Sequence, residues 1–364
     1  MKRVLVCAAG LLLLAAGTAR ADLTLGLAVG ISGQLAPVGE QARRGAEAAV
    51  ADINAKGGVN GEPLALELGD DACDPKQAVA VANQFASRGI RHVIGHLCSG
   101  ATLAAEDIYG EEGMLMVTGS ATNPQVTEKG YDTVFRVCGR DDQQTAVAAD
   151  YLLQAFAGKR VAVIDDKQAY GKGLSEELRK RLKAGGLEPV YVDSINAGEK
   201  DYTALINRLK EEKVDAVYYG GYHPELGLIA RQAAQASFHP QLIAAEGIAT
   251  PEYWAIAGDA AEGTLFTYAP DPKRDPANAA LLESLRKVGP EPDNFSFYFY
   301  AAVQTVAQAM EQAKSDDPAA IAAALHAGTF KTVVGELSFD AKGDLKKPDY
   351  VLYRWSAGTF AYAK

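Results

Sequence analysis

The sequence predicts an α/β protein made of two doubly wound parallel-sheet lobes joined by a hinge. Three observations carry this. Short runs rich in Val, Ile, Leu and Ala alternate with amphipathic stretches of about 10–15 residues, the pattern of parallel strands with right-handed helical crossovers. The alternation starts afresh near Asp141. Small polar residues recur just after strand runs, where doubly wound sheets bind ligands.

In order, Leu23–Val29 reads as a strand and residues 30–39 as a Gly-rich loop. A helix follows with Ala42, Ala46, Ala49, Val50 and Ile53 on one face. Gly57-Gly58 stops it and Asn60-Gly61 turns the chain into a strand at 64–68. Pro75 suits the first position of a helix running to Ser87. A strand at 91–94, a helix near 102–111 and a strand at 114–117 continue the series. After the restart come helices at 141–156, 171–184, 201–210 and 224–236, and strands at 160–164, 189–193, 216–219, 242–245 and 264–268. Two apolar helices, 297–313 and 318–327, and short strands near 335–339 and 351–355 close the chain. The expected division is a first lobe of residues 22–140 plus 270–346 and a second of 141–269 plus 347–364.

Residues 1–21 read as a secretory signal peptide. Lys2 and Arg3 precede an uncharged run from Val4 to Gly17, and Ala19-Arg20-Ala21 offers a small-x-small cleavage site. A membrane span needs roughly 20 apolar residues, more than this run supplies. Cleavage after Ala21 and a periplasmic mature chain are expected. Cys7 lies within the run and not at the cleavage site, so no lipid anchor is expected. The segment removed holds Lys2, Arg3 and Arg20 and no acidic residue, which takes the net charge from −10 to −13. Nucleic-acid binding needs clustered Lys and Arg, so so acidic a chain argues against it.

Cys73, Cys98 and Cys138 remain. In an oxidising compartment an even subset is expected to pair, and the spacing does not say which. A Cys73–Cys98 bridge would leave Cys138 as a small buried thiol.

Enzyme signatures are lacking. There is no Gly-x-Ser-x-Gly elbow, no P-loop and no His-Glu-x-x-His. His92, His96, His223, His239 and His326 show no metal-ligand spacing, and the pairs Asp70-Asp71 and Asp165-Asp166 read as caps or solvated loops. No metal and no cofactor is expected. Ser99, Ser120 and Thr122 follow strands and stand near helix starts. They read either as ordinary N-caps or as groups facing an anion at a helix N-terminus.

A resemblance favours the second reading. The run from Asp70 to Asn83, around Asp71-Ala72-Cys73-Asp74-Pro75, resembles the periplasmic branched-chain amino acid (leucine/isoleucine/valine) binding proteins of ABC transporters, the type I periplasmic-binding-protein family. Ile94-Gly95-His96-Leu97-Cys98-Ser99, Tyr218-Tyr219-Gly220-Gly221-Tyr222-His223-Pro224-Glu225, Ala197-Gly198-Glu199-Lys200-Asp201 and Lys342-Gly343-Asp344-Leu345-Lys346 are similar to the same family. The similarity spans nearly the whole mature chain.

The resemblance implies a non-enzymatic protein whose lobes close over one amino acid and hand it to a membrane permease, the protein acting as a monomer. A sensor or receptor domain for an amino acid or amide is the alternative; the signal peptide and the lack of an appended signalling domain favour transport. It also implies a Cys73–Cys98 cross-link. Ser99 and Thr122 would hold the ligand carboxylate; the Ser120 carbonyl, the Thr122 hydroxyl and Glu246 would hold the ammonium. Tyr222 would add a contact from the second lobe. Leu97, the disulfide, Tyr170, Tyr222 and Phe295 would line the side-chain pocket, although core packing alone would also explain Tyr170 and Phe295. Val38, in Leu35-Ala36-Pro37-Val38-Gly39, stands where the family carries an aromatic residue. The smaller side chain implies a roomier pocket.

Overall fold

The structure, a computed structural model, describes residues 23–363, so the expected signal segment lies outside it. The first sheet contains β1 (Leu23–Val29), β2 (Leu64–Asp70), β3 (His92–Gly95), β4 (Leu115–Thr118) and β5 (Val134–Arg136), in the order β2-β1-β3-β4-β5. All its pairings are parallel. Strands β3, β4 and β5 are buried along their whole length. That is why β3 and β4 read as short, mostly apolar runs and not as alternating ones.

Helix α1 (Ala36–Ala55) packs against a late helix, described below, on one face, while α2 (Pro75–Ser87) and α3 (Ser99–Glu111) pair on the other. Asp74 caps α2, its carboxylate accepting from the amides of Lys76 and Gln77, with Pro75 in the first turn.

The second sheet repeats the first. After α4 (Asp141–Ala155) come β6 (Val161–Asp165), α5 (Ala169–Ala184), β7 (Tyr191–Ser194), α6 (Thr203–Glu211), β8 (Ala216–Gly220), α7 (His223–Gln235), β9 (Gln241–Ala244), α8 (Pro251–Ala257) and β10 (Leu265–Tyr268). Their order, β7-β6-β8-β9-β10, is the order of the first sheet, and each β-α-β step returns in parallel. Strands β13 (Val351–Ser356) and β14 (Thr359–Tyr362) extend this sheet as an antiparallel edge hairpin beside β10.

Between β10 and β13 the chain returns to the first lobe. It forms α9 (Ala279–Lys287), α10 (Asn294–Ala313), α11 (Pro318–Ala327) and the hairpin β11 (Phe330–Thr332)–β12 (Gly335–Leu337). Nearly all of α10 is buried against α1, α11 and β4. The approach to α1 is so close that a Cβ on Gly45 would lie 1.9 Å from the Ser296 carbonyl oxygen.

The chain therefore passes between the sheets three times. Two passages are tied together: Asp344 forms an ion pair with Arg136 Nε at 2.6 Å and accepts from Arg140 Nη1, also at 2.6 Å. Cys73 and Cys98 are disulfide-bonded with Cα atoms 5.4 Å apart, joining the loops after β2 and β3, and Cys138 is a buried free thiol. Closing a loop of this length stabilises by about 3 kcal/mol on the chain-entropy model.

Several boundaries differ from the sequence reading for local reasons. The loop expected over 30–39 ends early, because Pro37 starts α1 in its first turn and Gly39 packs inside the helix. Helix α3 begins at Ser99, not near 102. Strand β5, at three residues, is too short to show a period. Helices α8 and α9 and strand β14 were not anticipated. Among the described residues no helix is long and apolar enough to cross a membrane.

Candidate functional site

In a sheet of order 2-1-3-4-5 the crossovers leave opposite faces on either side of the first strand, and a crevice opens beyond the strand ends there. Both sheets have this switch point, and both point it at the same cavity. In the first lobe Val38 follows β1, and Leu97, Cys98 and Ser99 follow β3. In the second, Tyr170 follows β6 and Tyr222 follows β8. Ser120 follows β4, Glu246 and Gly247 follow β9, and Phe295 opens α10.

Together with Leu35 these residues enclose, mouth included, about 380 Å³ of empty space. The lobes touch around it: the Asn123 side-chain amide donates to the Ala169 carbonyl at 2.8 Å, and the Thr122 hydroxyl donates to Glu246 Oε1 at 3.2 Å.

The first-lobe wall is polar at one end. Ser99 is the first residue of α3, where amides of the first turn lack partners within the helix. Its hydroxyl accepts from the Asn123 amide at 3.3 Å. The Ser120 hydroxyl donates to the Leu97 carbonyl at 2.7 Å, which commits its proton to the loop. Leu35, Val38, Leu97 and Phe295, with the disulfide, make the other end apolar.

The second-lobe wall carries two phenols and a carboxylate. Tyr170 and Tyr222 lie with ring centroids 4.9 Å apart. The Gly247 amide donates to the Tyr170 hydroxyl at 3.1 Å. Gly247 has to lack a side chain: a Cβ would stand 2.6 Å from the Gly221 carbonyl oxygen and 3.1 Å from the Tyr170 ring. Glu246 is 4 % exposed, and its Oε2 has no hydrogen-bond partner among the described residues. Burial raises its carboxyl above the ordinary range. Burial, reinforced by the charge of Glu246, likewise raises the neighbouring Asp141 to about 8.

Of the residues singled out from the sequence, Val38, Leu97, Ser99, Ser120, Tyr170, Tyr222, Glu246 and Phe295 line one cavity. Thr122 stands behind it, touching it through Glu246. Leu35 and Gly247 were missed; Gly247 directly follows Glu246, which is the signal that could have found it, whereas Leu35 has none. Asp141 and Gln144, behind Glu246, were missed as well. Among the described residues no group of three or more His, Cys, Asp or Glu is placed to hold a metal.

The profile of the family described as periplasmic binding protein matches residues 22–359. The Leu/Ile/Val-binding protein homolog 1 of Brucella suis is 48% identical over 343 residues, 94% of this chain and 92% of that one. Among solved structures, the leucine binding protein LivK of Thermotoga maritima superposes with a TM-score of 0.87 at 30% identity, over 94% of this chain and 98% of that one. LivJ of Streptococcus pneumoniae, in complex with isoleucine, gives 0.86 at 26% identity, over 93% and 98%. A profile match along almost the whole described chain, a relative near half identical and the twice-wound sheet order agree that this chain belongs to the periplasmic binding protein family.

Proposed function

We propose that this protein captures a free branched-chain amino acid between its lobes and delivers it to the permease of an ABC transporter. The observation that carries the reading is the polarity of the cavity. A helix N-terminus faces it from one lobe and a desolvated carboxylate with an unpartnered oxygen from the other, and the rest of the lining is mostly apolar. A zwitterion leaving water needs both charges paired, and an apolar side chain needs only a dry pocket. Ser99 and the first-turn amides of α3, with Thr122, take the carboxylate. Glu246, the Thr122 hydroxyl and the Ser120 carbonyl take the ammonium. Tyr222 closes from the second lobe, and Val38, Leu97, Tyr170 and Phe295 surround the side chain. Relatives named for leucine, isoleucine and valine binding support the ligand class.

The lobes divide near residues 140, 269 and 346, and the three passages there serve as the hinge. The family places its members outside the cytoplasm, in keeping with removal of residues 1–21 after Ala21. The protein works as a monomer and binds its ligand without turning it over, a reading supported by relatives that are named as binding proteins.

Calorimetric titration of unfolded-and-refolded, ligand-free protein against the twenty amino acids tests this. Leucine, isoleucine and valine are expected to bind tightest. Saturable binding confined to other classes would overturn the ligand assignment.

A further inference from the structure

Behind Glu246 lies a second acid that the ligand contacts proposed above do not use. Asp141, the first residue of α4, is fully buried, and its Oδ2 has no hydrogen-bond partner among the described residues, as with Oε2 of Glu246. Thr122 joins the two acids: its carbonyl accepts from the Asp141 backbone amide at 2.9 Å and its hydroxyl meets Glu246. Gln144 Nε2 donates to Asp141 Oδ1 at 2.8 Å, and Thr122 donates to Glu246 Oε1. The Gln144 oxygen accepts from the Thr267 hydroxyl at 2.8 Å while its nitrogen serves Asp141. Thr122 and Gln144 work against the burial of Asp141; at Glu246 its own backbone amide does so first, then Gln144, Tyr170 and Thr122.

Two negative charges in one dry site need a cation or a proton between them. The cation whose field reaches Asp141 is Arg136, and its guanidinium is engaged by Asp344 and by the carbonyls of Ala121 and Asn123. The other titratable groups facing the pair are neutral: the phenols of Tyr170, Tyr218, Tyr222, Tyr268 and Tyr350, and the thiol of Cys138. Burial raises every one of them.

We propose that Asp141 and Glu246 together hold one proton in the ligand-free protein, and that the ammonium of the incoming amino acid displaces it to solvent. The O–H bond of the shared carboxyl breaks, the proton goes to buffer, and the two carboxylates are left facing one ammonium. Net charge at the ammonium end of the site is the same before and after; the ligand carboxylate is met separately at the α3 N-terminus. Asp141 is then a positioning residue: it touches Glu246's donors and not the ligand, and it makes capture exchange one cation for another. The pair titrates as a unit, so the proton belongs to neither residue alone. This inference rests on the reading of Glu246 as the ammonium partner.

The test is leucine titration of the mature protein at pH 7 in phosphate, HEPES and Tris, whose ionisation heats differ. The slope of observed heat against ionisation heat counts protons, and release approaching about one proton per leucine is expected. Affinity should correspondingly rise with pH between about 6 and 8, by at most tenfold per unit. Asp141→Asn should still bind leucine with the slope abolished. A flat slope in the parent, or proton uptake, overturns the proposal, and so does an Asp141→Asn slope equal to the parent's. Should that variant not fold, the parent slope decides alone. Binding with no proton exchange sinks only this inference, whereas no leucine binding in any buffer sinks the transport reading as well.

Discussion

The first lobe's wall of the cleft presents hydroxyls and main-chain groups, whereas the second lobe's wall presents two paired phenols and a carboxylate. Both are built at the same place in the same sheet order, beyond the carboxyl ends of the first and third strands of a 2-1-3-4-5 sheet. The scaffold was used twice and furnished differently. The first wall is braced by the disulfide between its two loops and by Asp344 between two passages of the chain. Its polar groups need little else, since a helix terminus and a serine are stable with or without an anion. The second wall holds a charge that burial disfavours, so it gains most from a ligand. A scaffold of this kind locates a site, and the residues placed on each copy decide what it holds.

The asymmetry predicts unequal losses. Glu246→Gln keeps the shape and removes the charge, and stripping one partner from a desolvated pair costs on the order of 2–5 kcal/mol. Leucine affinity should fall at least tenfold with the thermal transition intact. Ser99→Ala removes one hydrogen bond to a charged group, worth about 1.5–3 kcal/mol, and the helix amides remain, so its loss should sit at the lower end. Titration of the two variants side by side compares the walls. A Ser99 variant that suffers more than the Glu246 variant would invert the picture.

The smallest effect belongs to Val38 at the apolar end. One buried methylene is worth about 0.8 kcal/mol, so leucine, isoleucine and valine should be separated only modestly. Val38→Tyr fills space beside the ligand side chain and should weaken phenylalanine more than leucine. An equal response of the two ligands would mean that Val38 does not set the pocket.

Much of this was legible because strand ends announce themselves. Ser99, Ser120, Tyr222 and Glu246 each follow an apolar run by a few residues, and the resemblance then told which of those loops face one another. What escaped the sequence shares a different cause. Asp141 looks like any acidic residue in the first turn of a helix, where the dipole favours it. Only the folded chain brings it, with Gln144, behind Glu246 from a hundred residues away. Leu35 lacks a pattern of its own in a loop that turned out to be partly helix. The hairpin β13–β14 lies antiparallel on a sheet otherwise predicted parallel, and β14 is half-exposed and short, so it leaves no apolar run.

The central claim is that one small ligand is held by both walls at once, and small-angle scattering of the ligand-free protein tests it most directly. Adding leucine should shrink the radius of gyration as both lobes close on the ligand. An unchanged scattering profile at saturating leucine would contradict it.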